Sequence, residues 1–236
     1  MLKDRQKSIL EAAVEEYIRT ARPVASRELM AHFRPHVSPA TIRNEMLVLD
    51  ELGYLEQPHT SAGRTPTDKG YRFFVDNIPD NVELTSAEER LLQKTFQFAR
   101  EEEEFIREFA KTISSISGTF AAVGISDEDT FYETGFSKIM DEPEFDDVKE
   151  ARKFGHLADF LGEEIKEIFG DFREEEMTLI GSENPLLKAR MCSMTISSWE
   201  HPEGFHGFLA LVGPKRTNYR KHKAVIKNVK KYHGRK

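Results

Sequence analysis

The sequence predicts an α+β protein: a small N-terminal domain of helices closed by a hairpin, a long connecting helix, and a C-terminal domain mixing strands with helices. Three observations predict it. Short apolar stripes at helical spacing fill residues 1–80 and are punctuated by Pro23, Pro35 and Gly53. Leu92, Phe96, Ala99, Ile106, Phe109, Ile113 and Ile116 then follow at spacings of three or four, with one gap at Glu103. Beyond Gly118, short apolar runs bounded by turn residues alternate with helical patterns. The expected domains are residues 1–80, a connecting segment 81–117, and residues 118–236.

Charged residues make up 32% of the chain and hydrophobic ones 39%, a balance that favours a folded protein over a disordered one. No apolar run approaches the ~18 residues that a membrane helix needs. The N-terminal stretch MLKDRQKSILEAAVEEY carries acids and no apolar core, which argues against a signal peptide. A single cysteine, Cys192, excludes a disulfide framework or a cysteine-rich metal site and fits a reducing cytoplasm. The net charge of −7 is unevenly spread. Residues 1–80 are close to neutral at −1, residues 81–213 carry −16, and residues 214–236 carry +10. The basic tail has two readings, a salt-sensitive phosphate anchor or a partner for the acidic middle, and the second is favoured because that segment is always present.

The first helix is expected from about Lys3 to Thr20, with Ile9, Leu10, Ala13, Val14, Tyr17 and Ile18 as its apolar stripe. Arg22-Pro23 ends it. Ser26 is the expected cap of a short second helix reaching about Arg34, with Leu29, Met30 and Phe33 facing inward. Pro35 breaks it, and after a brief turn Ser38 caps a third helix with Pro39 at the first position, where no amide partner is lost. Gly53 closes that helix. At 100° per residue Ile42, Met46, Leu49 and Gly53 face inward, while Ala40, Arg43, Asn44 and Leu47 face outward. Tyr54 to Gln57 reads as a strand, and Pro58 to Arg64 as a hairpin loop in which Gly63 is free to take positive φ. Thr67 caps a helix to about Asn77, and Ile78-Pro79-Asp80 is a break.

Two short helices, the second exposing small and polar groups near its start, followed by a basic hairpin, make a winged helix-turn-helix. The chemistry then follows residue by residue. A helix N-terminus in the major groove turns free amides and its positive dipole end towards phosphates. Ser38 and Thr41 can bond phosphate oxygens, Arg43 can pair with guanine O6 and N7, and Asn44 can read adenine in the same bidentate way. Leu47 either meets a thymine methyl or packs on the wing, with packing favoured. On the wing, His59, Thr60, Ser61 and Arg64 surround Gly63, and Arg64 is the choice for insertion into a narrow minor groove. Arg27 is expected on the DNA backbone. Lys69 and Arg72 either join it or pair on the surface.

Residues 86–117 read as one long helix. Two rows of large apolar residues, the second being Leu91, Phe98 and Phe105, support either packing on its own domain or a dimer contact. Thr119–Ile125, Met177–Ile180, Cys192–Trp199 and Phe205–Val212 read as strands, with the turn His201-Pro202-Glu203-Gly204 between the last two. Phe145–Phe169 reads as helix interrupted near Gly155 or Gly162, and Arg216–Tyr232 as a final basic helix.

The strings YIRTARPVASREL, VSPATIRNEM and LDELGYLEQPHTSAGRTPTDKGYRFFVD resemble the HrcA family of bacterial heat-inducible transcription repressors. The likeness is dense over residues 5–76 and thinner in GFSKIMDEPEFDD, IGSENPL and FLALVGPKRTNY. It implies a winged helix followed by a GAF-like domain, and a homodimer that represses chaperone genes from an inverted-repeat operator in double-stranded DNA. It also implies that the chaperonin GroEL keeps the repressor active. The chain departs from the family between Ile125 and Phe136, where the inserted dimerisation domain is expected, so a shortened, reduced GAF-like domain follows.

No cofactor, metal or catalytic residue is expected. P-loop, GxGxxG, HExxH and GxSxG patterns are absent from the sequence. Cys192 sits in an apolar strand, His201 and His206 lack a carboxylate partner pattern, and DEDT and DEPEFDD lack calcium-loop spacing. The functional expectation is a cytoplasmic DNA-binding repressor. The alternative is a sensing module whose winged helix docks a protein or small ligand.

Overall fold

The computed structural model describes residues 2–33, 37–98, 101–126, 130–159, 161, 165 and 176–232. Arg34, His36, Gly162 and the DED of residues 127–129 lie outside the described residues, as does the side chain of Phe98. The chain divides between Ile78 and Pro79 into two units.

The first unit contains α1 (Asp4–Thr20), α2 (Met30–Phe33), α3 (Pro39–Glu51), a two-stranded antiparallel hairpin of β1 (Leu55–Glu56) and β2 (Thr65–Pro66), and α4 (Asp68–Asp76). α1 buries Ile9, Leu10, Ala13 and Val14, and packs against α3, α4 and β2. Ile42, Met46 and Leu49 form the buried face of α3, as their spacing predicts. Gly53, at φ +74°, ends that helix, and the Tyr54 amide returns to the Leu49 carbonyl at 2.9 Å. Thr67 caps α4 through the Gly70 amide. Gly70 is required there by space, since a Cβ would stand 2.2 Å from the Tyr54 carbonyl oxygen.

The second helix is shorter than expected. Residues 26–29 form turns rather than helix, and the Ala25 amide is held by the Glu28 carboxylate at 2.6 Å. An acid three residues downstream therefore organises the entry to α2, where Ser26 was expected to cap it.

The second unit is an antiparallel five-stranded sheet in the order β4-β3-β7-β6-β5 with helices on both faces. Its strands are β3 (Phe120–Ile125), β4 (Phe131–Thr134), β5 (Met177–Ile180), β6 (Cys192–Glu200) and β7 (His206–Pro214). Alternation splits β3, β6 and β7 between two cores. Ala121, Val123, Trp199, Leu209 and Leu211 face α5 (Ser86–Phe98), α6 (Glu102–Ser117) and α9 (Tyr219–Lys230). Phe120, Ala122, Met194, Ile196, Ala210 and Val212 face α7 (Phe136–Met140) and α8 (Val148–Ala158). α8 runs through Gly155 and ends at Ala158, and Gly162, the other expected point of interruption, lies outside the described residues.

The single long helix over 86–117 is not formed. Two helices fold back on each other instead: the Thr95 and Thr112 hydroxyls meet at 2.8 Å, and Phe96 packs edge-on against Phe105 and Phe109 at 5.1 and 5.2 Å. Of the first row, Leu92, Phe96, Ile106, Phe109, Ile113 and Ile116 are buried in the core of this unit; of the second, Phe105 is buried with them and Leu91 is exposed.

Several described cations of the basic tail pair with acids of this unit. Lys221 pairs with Glu88 at 2.8 Å, Lys223 with Asp80 at 2.7 Å and Lys231 with Glu89 at 3.3 Å. Arg216 pairs with both Glu142 and Glu144. Burial works against the charge of Glu88, yet the hydrogen bonds from Lys221 and Thr85 prevail and hold its carboxyl below the usual range.

Candidate nucleic-acid interface

The outward face of α3 is the centre of the site. Ser38, in extended backbone, caps the helix: its Oγ accepts the Thr41 amide at 3.1 Å and lies 2.8 Å from the Thr41 hydroxyl. Proline at position 39 has no amide, and the Ile42 amide already reaches the Ser38 carbonyl at 3.1 Å. Among the first-turn amides this leaves that of Ala40 unpartnered among the described residues, on an exposed, small side chain that admits close approach. The sequence places Ala40 on the outward face but assigns it no role; the signal for one is a small side chain directly after Pro39. Ser38 and Thr41 are already engaged with each other, so any phosphate contact would be additional to the cap.

Arg43 and Asn44 are exposed and make no side-chain hydrogen bond or ion pair among the described residues. Leu47 stands beside them, 43% exposed. Two of the three acids of α3 are engaged away from this face. Glu45 is held by Gln6 at 3.0 Å and Arg5 at 3.8 Å from α1, and Asp50 by Arg64. One face of α3 thus presents a guanidinium, an amide and a methyl-rich side chain towards its start, and the exposed carboxylate of Glu51 lies on the same face one turn beyond Leu47. Arg27 is exposed in the turn leading into α2.

The wing loop is organised by its own bonds. Gln57 Nε2 donates to the carbonyls of Thr60 and Ala62 at 3.2 and 2.9 Å, and the Ala62 amide reaches the His59 carbonyl at 2.8 Å. His59 and Ser61 sit exposed at its tip, 3.4 Å apart. Gly63 does not adopt positive φ. It is glycine because the loop presses on the backbone before α2, where a Cβ would come within 2.5 Å of the Val24 carbonyl.

Arg64 is not placed for insertion into a minor groove. Its Nε donates to Asp50 Oδ2 at 2.9 Å, and its side chain is only 12% exposed. Its backbone pairs both ways with Val24, at 2.8 and 2.9 Å, adding a third short segment to the hairpin. Lys69 caps the end of α3 through the Leu52 carbonyl at 2.8 Å and lies 4.3 Å over the Tyr54 ring, while Arg72 pairs with Asp76. Both take the surface role of the two left open.

Burial pushes the Cys192 thiol up to about 12 and lowers His201.

Three helices, a capped and outward-facing third helix and a bridged hairpin beside it define a winged helix-turn-helix module. A family model described as "Winged helix-turn-helix transcription repressor, HrcA DNA-binding" matches residues 1–78, and one described as "HrcA protein C terminal domain" matches residues 73–222. The chain belongs to the HrcA family. It is 46% identical over 124 residues to the heat-inducible transcription repressor HrcA of Symbiobacterium thermophilum, covering 52% of this chain and 36% of that protein. It is 50% identical over 101 residues to the protein of the same name from Roseiflexus castenholzii, covering 43% of this chain and 28% of that protein. The matches thus span about a third of the length of these relatives. A crystal structure described as that of a hypothetical protein aligns over 98% of both chains with a TM-score of 0.79 at 18% identity, a likeness of fold alone.

Proposed function

We propose that this chain is a DNA-binding transcriptional repressor of heat-shock genes that acts in the cytoplasm as a homodimer on an inverted-repeat operator. The observation that carries the reading is the unpaired outward face of α3, with Arg43, Asn44 and Leu47 exposed together beyond the Ser38 cap. In this reading α3 enters the major groove. Arg43 reads guanine, Asn44 reads adenine, Leu47 meets a thymine methyl, and the Ala40 amide with Ser38 and Thr41 holds a phosphate. Arg27 meets the backbone, and His59 and Ser61 carry the wing to the flanking groove. One helix and one wing supply a half-site, so a two-fold pair of chains would match an inverted repeat. The five-stranded sheet with helices on both faces supports a GAF-like second domain. The family's reliance on the chaperonin GroEL is carried over with it.

The test is selection of bound duplexes from a random-sequence pool by the full chain, followed by binding of the enriched duplex and of a scrambled one. Arg43→Ala is expected to weaken the enriched duplex by about 1–3 kcal/mol and to relax preference at one position. If no sequence is enriched, or if Arg43→Ala keeps the parent's preference, the assignment of α3 as the reading helix fails.

A further inference from the structure

We infer that Arg64 and Asp50 form a positioning pair that presets the wing against the recognition helix, and that neither acts by touching DNA; the inference rests on the DNA-reading function proposed above. Arg64 is the one residue of the first unit whose described bonds tie the returning arm of the wing to two other elements at once. Its amide and carbonyl pair with Val24, at the entry to the helix-turn-helix, and its guanidinium holds Asp50 on the last turn of α3. The neighbouring Gly63 lets the loop close to within 2.5 Å of Val24 for a hypothetical Cβ, so this junction admits no slack. The tip residues His59 and Ser61 are then fixed relative to Arg43 and Asn44 through a short rigid path rather than through the loop. A binding surface made of two separate elements gains from this, because affinity falls in proportion to the fraction of molecules holding the competent arrangement.

The sign of one substitution separates this role from direct contact. Removing a carboxylate beside a DNA-facing surface and freeing an arginine strengthens binding by charge alone. The positioning pair predicts the reverse. Asp50→Ala is expected to bind the enriched duplex about tenfold more weakly, as the wing samples other arrangements. Arg64→Ala is expected to weaken binding similarly while keeping the parent's dependence on salt, and the double variant to be no weaker than either single one. Asp50→Asn, which retains an acceptor for Arg64 Nε, is expected to bind within about twofold of the parent at an unchanged salt slope. Thermal melting of each variant checks that it is folded, and Asp50→Asn remains decisive should either alanine variant not fold. Tighter binding by Asp50→Ala, a salt slope shallower by about one charge in Arg64→Ala, or a steeper slope with tighter binding in Asp50→Asn would each overturn the inference. A parent chain that enriches no duplex at all would instead overturn the function on which it rests.

Discussion

His222 is buried completely in the second unit, and its protonation should govern stability in mild acid. It lies on α9 with Thr195 Oγ1 3.1 Å from Nδ1, Thr217 Oγ1 3.2 Å and Thr119 Oγ1 3.5 Å from Nε2. Threonine hydroxyls can donate or accept, so they suit a neutral imidazole, and burial lowers its pKa to about 3. The unfolded chain takes up a proton near the ordinary histidine value of about 6.5, whereas the folded chain does not until about 3. The group's contribution is therefore complete above about pH 6.5 and is lost progressively as the pH falls towards 3. At pH 5 the loss is about 2 kcal/mol relative to pH 7.5, and the full loss approaches about 5 kcal/mol. Trp199, the chain's single tryptophan, is buried in the core facing α9 and reports unfolding of this unit. Urea titrations followed by its fluorescence, at half-unit steps from pH 7.5 to 5, give the dependence directly. His222→Gln retains hydrogen bonding and removes the proton, so its stability should change by about 2 kcal/mol less over the same range. His201, lowered by burial as well, adds a loss of the same sign and stays in both proteins, which the subtraction removes. Equal pH dependence in parent and His222→Gln would refute the reasoning.

Other substitutions test the packing and the site. Phe109→Ala empties a fully buried position between Phe96, Phe105 and Trp199 and should cost about 3–5 kcal/mol in the same urea assay. Gly63→Ala drives a Cβ into the Val24 carbonyl and should destabilise the first unit by about 1–3 kcal/mol, read by thermal melting followed by circular dichroism. Cys192, with its thiol pushed up to about 12, should resist a disulfide reagent at pH 8 in the folded protein and react fully in denaturant. Leu47→Ala, on an exposed side chain, should leave stability within about 0.5 kcal/mol and weaken the enriched duplex, which melting and binding titrations separate.

The elements legible in the sequence are those with a chemical punctuation mark at each end. α3 has Ser38 and Pro39 before it and Gly53 after it; β5 has a run of four apolar or β-branched residues and falls at the expected Met177–Ile180. The hairpin of α5 and α6 was illegible for a physical reason. An apolar stripe keeps its period whether the chain continues or turns back, and FAREEEE contains no glycine or proline to mark a reversal. The site was half legible. Helical phase is enough to send Arg43, Asn44 and Leu47 outward, because Ile42, Met46 and Leu49 fix the buried side. The same logic has no purchase on a loop. Nothing in PHTSAGR distinguishes an arginine aimed at a groove from one turned back to Asp50, and a glycine needed for space reads the same as one needed for positive φ.

The charge pattern leads to a sharper view of how affinity must arise. A tail carrying ten basic side chains looks like an electrostatic anchor for nucleic acid. Six of its cations are engaged within the second unit, Arg216, Lys221, Lys223, Lys230 and Lys231 on acids and Lys227 on the carbonyls of Asp80 and Val82. Exposed pairs of this kind add little stability singly, but they remove the tail's charge from the field a phosphate backbone would feel. The first unit, nearly neutral, is left with a few cations such as Arg27 and Arg43 near the reading helix. A protein built this way should bind random DNA weakly and depend on correct base contacts for its affinity. The steepness of its salt dependence on the enriched duplex should then reflect few charges per chain, and a slope matching the whole basic tail would contradict the pairing seen here.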